Sequence, residues 1–233
     1  MGIKQLKQMT LDEATSRIED GMTVGIGTGS TIELLVPKIA QLIHEKGYQI
    51  KGVCTSERTA LQAKSLDIPI VDVNDVTHID IAIDGADEID PNLNLIKGGG
   101  GALFREKVID TFAERFIVIA DQTKLVDYLG QTFKLPVEVD AFNWRQLIRT
   151  IEQAFDVKVI RRMIGDIPFI TDNGNYILDC TLNQSIDPYV FHEYLIHLVG
   201  ILETGYFLDT VEEAIVGTDE GLKVIHHSEQ IKK

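Results

Sequence analysis

Through the first 130 residues, short apolar, β-branched runs alternate with longer segments of helical period. TVGI, QIKGVC, IPIVDV, IDIAID and FIVIA read as strands, and the stretches 30–46, 56–66 and 102–115 between them as helices. This alternation builds a parallel sheet covered by helices, so an α/β, Rossmann-like domain is expected. In 30–46, Ile32, Leu35, Val36, Ile39, Ala40 and Ile43 follow the i, i+3, i+4, i+7 rule, with Pro37 expected to kink the helix. Thr10 with Glu13, and Ser30 with Glu33, have the spacing of capping boxes. In 102–115 the apolar seam is Phe104, Val108 and Phe112.

After Gly130 the pattern changes. Residues 133–139 read as a strand, Trp144, Leu147, Ile148, Ile151 and Phe155 as a helical stripe, and VKVIRR as a second strand. Asn173-Gly174, between PFIT and YILDCTL, signals a hairpin. Asp187-Pro188 opens a helix with proline at its first position, and ILETGYF is a further strand. The order β-α-β-β-α-β predicts a ferredoxin-like α+β module. EAIVG and LKVIHH then return to the first sheet. The expected division is an α/β catalytic domain of 1–130 plus 207–233, with a ferredoxin-like domain inserted at 131–206.

Composition narrows the function. At 233 residues and 44% hydrophobic, the chain can bury one good core or two smaller ones. A net charge of −14 and the lack of any block of five Lys or Arg speak against nucleic-acid or anionic-membrane partners. An anionic ligand then needs a locally built site. The N-terminal stretch lacks the apolar core of a signal peptide and FIVIA is too short to span a bilayer, so a cytoplasmic protein is expected. Cys54 and Cys180 are far apart and in no ligand spacing. His192, Glu193 and His197 approximate H-E-x-x-H, but five positions carry the second ring off the face of the first. No metal site is expected.

Four segments carry candidate chemistry. Gly25 to Thr31 joins a strand to a helix, where amides, three hydroxyls and a positive helix end suit a phosphate. The next strand ends in Thr55 and Ser56 instead of a ribose-binding acid, which disfavours a dinucleotide; a structural tight turn is the other reading. Asp84 closes an apolar strand, and Gly85 and Ala86 turn the chain to Asp87 and Glu88, either as site residues or as turn caps. Lys97 precedes four glycines, a costly run that suits close approach to a ligand and a developing oxyanion. Glu106 lies about 200° around the helix from the apolar seam, so it is a solvated side chain or a site residue. Lys124, following a fourth strand, is surface or part of an anion site.

The sequence resembles the ribose-5-phosphate isomerase A family through GIGTGST at 25–31, DGADEID at 84–90, KGGGGALFREK at 97–107, ADQTK at 120–124 and TDNGNYILD at 171–179. These long motifs, in one order, spread over most of the chain. The resemblance implies that Glu106 is the proton-shuttling carboxylate. It also makes Thr28, Gly29, Ser30 and Thr31, then Asp84, Gly85, Ala86 and Asp87, then Lys97, Gly98, Gly99 and Gly100, substrate-binding loops. Asp84, Asp87 and Lys97 join Glu106 in the implied catalytic set, and Lys124 and Lys7 take family lysine positions. CTSERT at 54–59 and Phe104 depart from the expected pattern.

The implied reaction interconverts D-ribose 5-phosphate and D-ribulose 5-phosphate through an enediolate, in the non-oxidative branch of the pentose phosphate pathway. It needs no cofactor and no metal. The implied assembly is a homodimer or homotetramer. Alternatives are a fold-related amino-sugar-phosphate deaminase, a coenzyme A transferase acting through an acyl-glutamate, and a sugar-phosphate-sensing module. The last of these lacks a basic recognition helix at either end.

Overall fold

The computed structural model describes residues 3–226. Residues 1–2 and 227–233, which end the expected first domain and include the last histidine of LKVIHH, lie outside the described residues. Of the described chain, 3–86, 105–124 and 209–226 form one compact unit, and 87–104 with 125–208 a second. The segments 87–104 and 125–130, which the pattern alone groups with the first sheet, thus cluster with the second unit.

The first unit is an α/β layer structure on a six-stranded sheet. Its order is Gly221–His226, Glu213–Thr218, Phe116–Asp121, Ile81–Asp84, Thr23–Ile26, Lys51–Cys54. Only the first pair is antiparallel; the others are parallel. The returning segments are therefore strands of this sheet. Thr23–Ile26, Ile81–Asp84 and Phe116–Asp121 are buried along their whole length, as strands covered on both faces must be. Ile26, Ile83, Ile117, Ile119 and Ile215 form the core with Leu35, Val36 and Ile39 of the Ile32–Lys46 helix. The order of the strands reverses between Thr23–Ile26 and Ile81–Asp84. Their carboxyl ends therefore flank a topological switch point, where open α/β sheets bind ligands.

Several local expectations are corrected. IPIVDV is not a strand: it makes one bridge, Ile70 to Gly52, and then enters the 3-10 turn Val73–Asp75, whose Asn74 amide donates to Asp72. Thr10 caps nothing, because the Ile3–Thr15 helix runs through it and its hydroxyl donates back to Lys7 O at 2.7 Å. Ser30 is not a cap either. Thr31 precedes the Ile32–Lys46 helix in a helical conformation with no side-chain cap bond. Pro37 lies inside that helix, which continues to Lys46. The Glu33 carbonyl, which proline has no N–H to reach, accepts instead from Gln62 Nε2 at 2.8 Å.

The largest correction concerns the Leu103–Phe112 helix. Its expected seam faces water, with Val108 39% and Phe112 45% exposed, while Leu103, Glu106, Ile109 and Asp110 are buried. Ile109 packs so tightly on the sheet that a Cβ on Gly25 would lie 2.7 Å from its Cγ2.

The second unit is built on a four-stranded antiparallel sheet, ordered Ile201–Thr204, Leu135–Val139, Tyr176–Thr181, Lys158–Arg161. With helices Trp144–Ala154 and Pro188–Ile196 between strands, this is the ferredoxin-like arrangement. Asp187 caps the second helix, accepting from the amides of Tyr189 and Val190, with Pro188 at the first position as expected. The hairpin is displaced from its predicted place. Gly174 has φ +83 and closes a turn onto Thr171 O, but Tyr176–Thr181 pairs with the long strands. The short hairpin is Met163–Ile164 with Ile167–Pro168. A small ladder of Glu88–Ile89, Leu95–Ile96 and Tyr206–Phe207 completes the unit.

Candidate active site

In the first unit the loop after Thr23–Ile26 meets Asp84 at the switch point. Gly27 leaves the Thr23–Ile26 strand with its amide on Ile83 O at 3.1 Å. The buried Asp84 ends the neighbouring strand, and its Oδ1 accepts from Thr28 N at 3.0 Å and Gly85 N at 2.6 Å. A Cβ on Gly27 would fall 1.9 Å from that oxygen, so only glycine lets the carboxylate lie across the loop. Thr28 Oγ1 lies 2.6 Å from Thr55 Oγ1 and donates to Ser56 Oγ at 2.8 Å, while Thr59 Oγ1 donates to Gly27 O at 2.9 Å.

Thr55, Ser56 and Thr59 thus brace the Gly27–Thr28 loop, a role the sequence motifs did not assign to them. Their signal was a hydroxyl-rich run directly after a strand. Gly29, at φ +131, turns the chain so that Ser30 is exposed and accepts from Lys7 Nζ at 2.8 Å. The loop ends at the N-terminus of the Ile32–Lys46 helix, whose positive dipole end favours an anion. Glu106 is only 3% exposed, on the inward face of its helix. Lys124 ends the 3-10 turn Gln122–Lys124 after Phe116–Asp121, half-buried, and Asp121 caps that turn by accepting from Thr123 N at 3.0 Å.

The second unit carries Asp87, Lys97 and the glycine run. The Lys97 side chain is buried, its amide donates to Gly205 O at 2.8 Å, and its Nζ stands 5.3 Å over the Phe207 ring. Gly98, at φ +99, and Gly101, at φ +82, bound a tight turn closed by Gly101 N on Gly98 O at 3.0 Å. Asp87 Oδ2 accepts from Gly99 N at 2.7 Å, and a Cβ on Gly99 would come 2.6 Å from Asp87 Oδ1. Gly99 and Gly100 are exposed. Glu88 serves the fold instead. It is buried, and its carboxylate accepts from the amides of Gly130, Thr132 and Phe133 and from the Thr132 hydroxyl.

The remaining chemistry is quiet. Burial pushes the Cys54 thiol up to about 12 and raises Cys180 further, so both stay protonated near neutrality. His192 Nδ1 pairs with Thr204 Oγ1 at 2.8 Å and His197 Nδ1 with Glu193 O at 2.7 Å. Among the described residues, no group of three or more His, Cys, Asp or Glu is placed to hold a metal ion. Nor is any described helix long and apolar enough to cross a membrane.

The model of the family described as ribose 5-phosphate isomerase A (phosphoriboisomerase A) matches residues 51–221. Ribose-5-phosphate isomerase A of Staphylococcus haemolyticus is 64% identical over 97% of this chain and 98% of its own length. The Staphylococcus aureus protein of that name is 65% identical over 96% of this chain and 98% of its own. Among solved structures, a D-ribose-5-phosphate isomerase in complex with phospho-erythronic acid is 41% identical, with a TM-score of 0.93 over 97% of this chain and 100% of its own. The ribose 5-phosphate isomerase A of Methanocaldococcus jannaschii is 35% identical, with a TM-score of 0.91 over the same shares.

Proposed function

The chain belongs to the ribose-5-phosphate isomerase A family and interconverts D-ribose 5-phosphate and D-ribulose 5-phosphate, and we propose that Glu106 carries the proton between C1 and C2. The observation that supports this role is burial. Carboxylates are almost never fully buried without a reason, and this one sits in the first turn of its helix on the face turned away from water.

In the open-chain aldose, the base removes the C2 proton and the electron pair moves to make an enediolate with charge on O1. A proton passes from O2 to O1, and as the C2 carbonyl forms the same carboxyl returns the carbon-bound proton to C1, giving the ketone at C2 and a hydroxyl at C1. General-base catalysis of this kind contributes about 10²–10⁴-fold. The charge on O1 calls for preorganised donors, a role suited to Lys97 and the amides of Gly98, Gly99 and Gly100. Asp84 and Asp87 manage hydroxyl protons, including those of ring opening, with Gly85 and Ala86 setting their spacing. The phosphate falls to Thr28, Gly29, Ser30 and Thr31 with Lys124, and Lys7, held on Ser30, adds charge there. No step calls for a cofactor or metal. We take the enzyme to be cytoplasmic and a homodimer or homotetramer, to which exposed Ile164, Ile167 and Ile170 lend support.

The test is Glu106→Gln in chelator-treated protein. Ribose 5-phosphate should still bind, while turnover and solvent-deuterium exchange at C2 should both fall by about 10²-fold or more. Ordinary exchange in that variant would overturn the assignment.

A further inference from the structure

The glycine turn is gripped from one side by a cation that the proposed chemistry does not use. Arg162, directly after the Lys158–Arg161 strand, makes a two-point ion pair with Asp179, Nε to Oδ2 at 3.0 Å and Nη2 to Oδ1 at 2.5 Å. Its remaining nitrogen, Nη1, donates to Gly98 O at 2.8 Å and Gly99 O at 3.2 Å. Both side chains of the pair are only 14% exposed. Asp179 fixes the plane of the guanidinium and offsets its charge, so the fork presents its third edge to the loop in one orientation. Phe169 secures the other end of the turn. Its ring occupies the space where a Cβ on Gly101 would stand, 2.2 Å from Cζ, and its amide donates to Arg162 O at 3.0 Å. The hairpin Met163–Pro168 thus joins, at its base, the two residues that hold the glycine turn.

This grip decides where the loop amides point. A trans peptide is planar, with C=O and N–H directed oppositely. In the Gly98–Gly99 peptide the oxygen goes to Arg162 and the N–H to the Asp87 carboxylate, so these two side chains lie on opposite sides of it. In the Gly99–Gly100 peptide the oxygen again faces Arg162, which turns the N–H of Gly100, an exposed residue, away from the guanidinium. We propose that Arg162, set by Asp179, is a positioning residue that aims the Gly100 N–H at the oxygen that becomes negative in the enediolate. The inference rests on the isomerase mechanism above. A cation on the carbonyl end also polarises the peptide and strengthens its N–H as a donor. The orientation exists before substrate arrives, which is what makes such a donor effective in the transition state. Lysine cannot replace the fork, because a point charge cannot serve a carboxylate and two carbonyls in one plane.

The experiment compares Arg162→Lys, Arg162→Ala and Asp179→Asn with the parent enzyme. All three should lower kcat by about tenfold or more, as for loss of an oxyanion donor, and leave KM for ribose 5-phosphate within about threefold. Affinity for phospho-erythronic acid, whose carboxylate carries charge like the enediolate, should fall in step with kcat/KM. An unchanged kcat in folded Arg162→Lys and Arg162→Ala overturns the proposal, and so does a rise in KM alone. Should the variants not fold, the parent protein decides: on titration with phospho-erythronic acid the Gly100 amide proton should move downfield, and a stationary resonance overturns the assignment. The underlying mechanism fails separately, through turnover in Glu106→Gln. The Arg162 variants and the Gly100 resonance would still report on the loop in that event.

Discussion

Gly27 shows how much of the proposed site rests on one missing atom. The G-x-G-x-G spacing marked the loop as a candidate anion site, but spacing carries no information about which neighbour needs the room. The neighbour is Asp84, whose Oδ1 lies across the loop and takes two amides. Gly27→Ala places a Cβ 1.9 Å from that oxygen, and Asp84 is too short to withdraw without releasing Thr28 N. We expect kcat/KM to drop by about 10²-fold, the scale of a 1 Å misplacement, with about 1–3 kcal/mol of stability lost in denaturant titrations. A variant with parent-like kinetics would show that the Asp84 position is not critical. At this scale the motifs singled out Asp84, Asp87, Lys97 and Glu106 as candidates, whereas the hydroxyl bonds of Thr55, Ser56 and Thr59 became visible only once the second strand lay beside the first.

The Leu103–Phe112 helix explains why sequence pattern misjudged a face. Periodicity assigns the inward side to the apolar stripe, and here Phe104, Val108 and Phe112 supplied one. The true inward stripe of Leu103, Glu106, Ile109 and Asp110 contains two carboxylates, so it imitates a solvated surface. An element that delivers charged groups inward breaks the rule that hydrophobicity marks burial. Two substitutions discriminate the faces. Ile109→Ala should cost about 2–5 kcal/mol, since its side chain fills the space above Gly25. Val108→Thr should stay within about 0.5 kcal/mol. Equal losses in urea titrations would contradict the observed orientation. Thr10 and Ser30 failed as caps because a capping-box spacing also needs the helix to start there: at Thr10 the helix runs straight through, and beyond Ser30 it starts one position later, after Thr31.

On the scale of the whole chain, the alternation of strands and helices was legible, and so was the β-α-β-β-α-β order of the second unit. The membership of 87–104 was not, because a motif contiguous in sequence is divided between two compact units. A net charge of −14 opposes anionic ligands at long range, yet donors built from amides, hydroxyls and lysines act within a few ångströms. Ribose 5-phosphate at about one hundred times its Kd should therefore stabilise the native protein by about 2.7 kcal/mol, raising its thermal midpoint. A midpoint indifferent to the ligand would argue against the anion site. The Met163–Pro168 hairpin has a topological consequence of its own. Its tip, Gly165-Asp166, is exposed and joined by only two residue pairs, so the chain offers a place for new termini there. In such a circular permutant Arg162 and Phe169 would become near-terminal residues, and the grip on the glycine turn would change from a covalent loop into a clasp that can open.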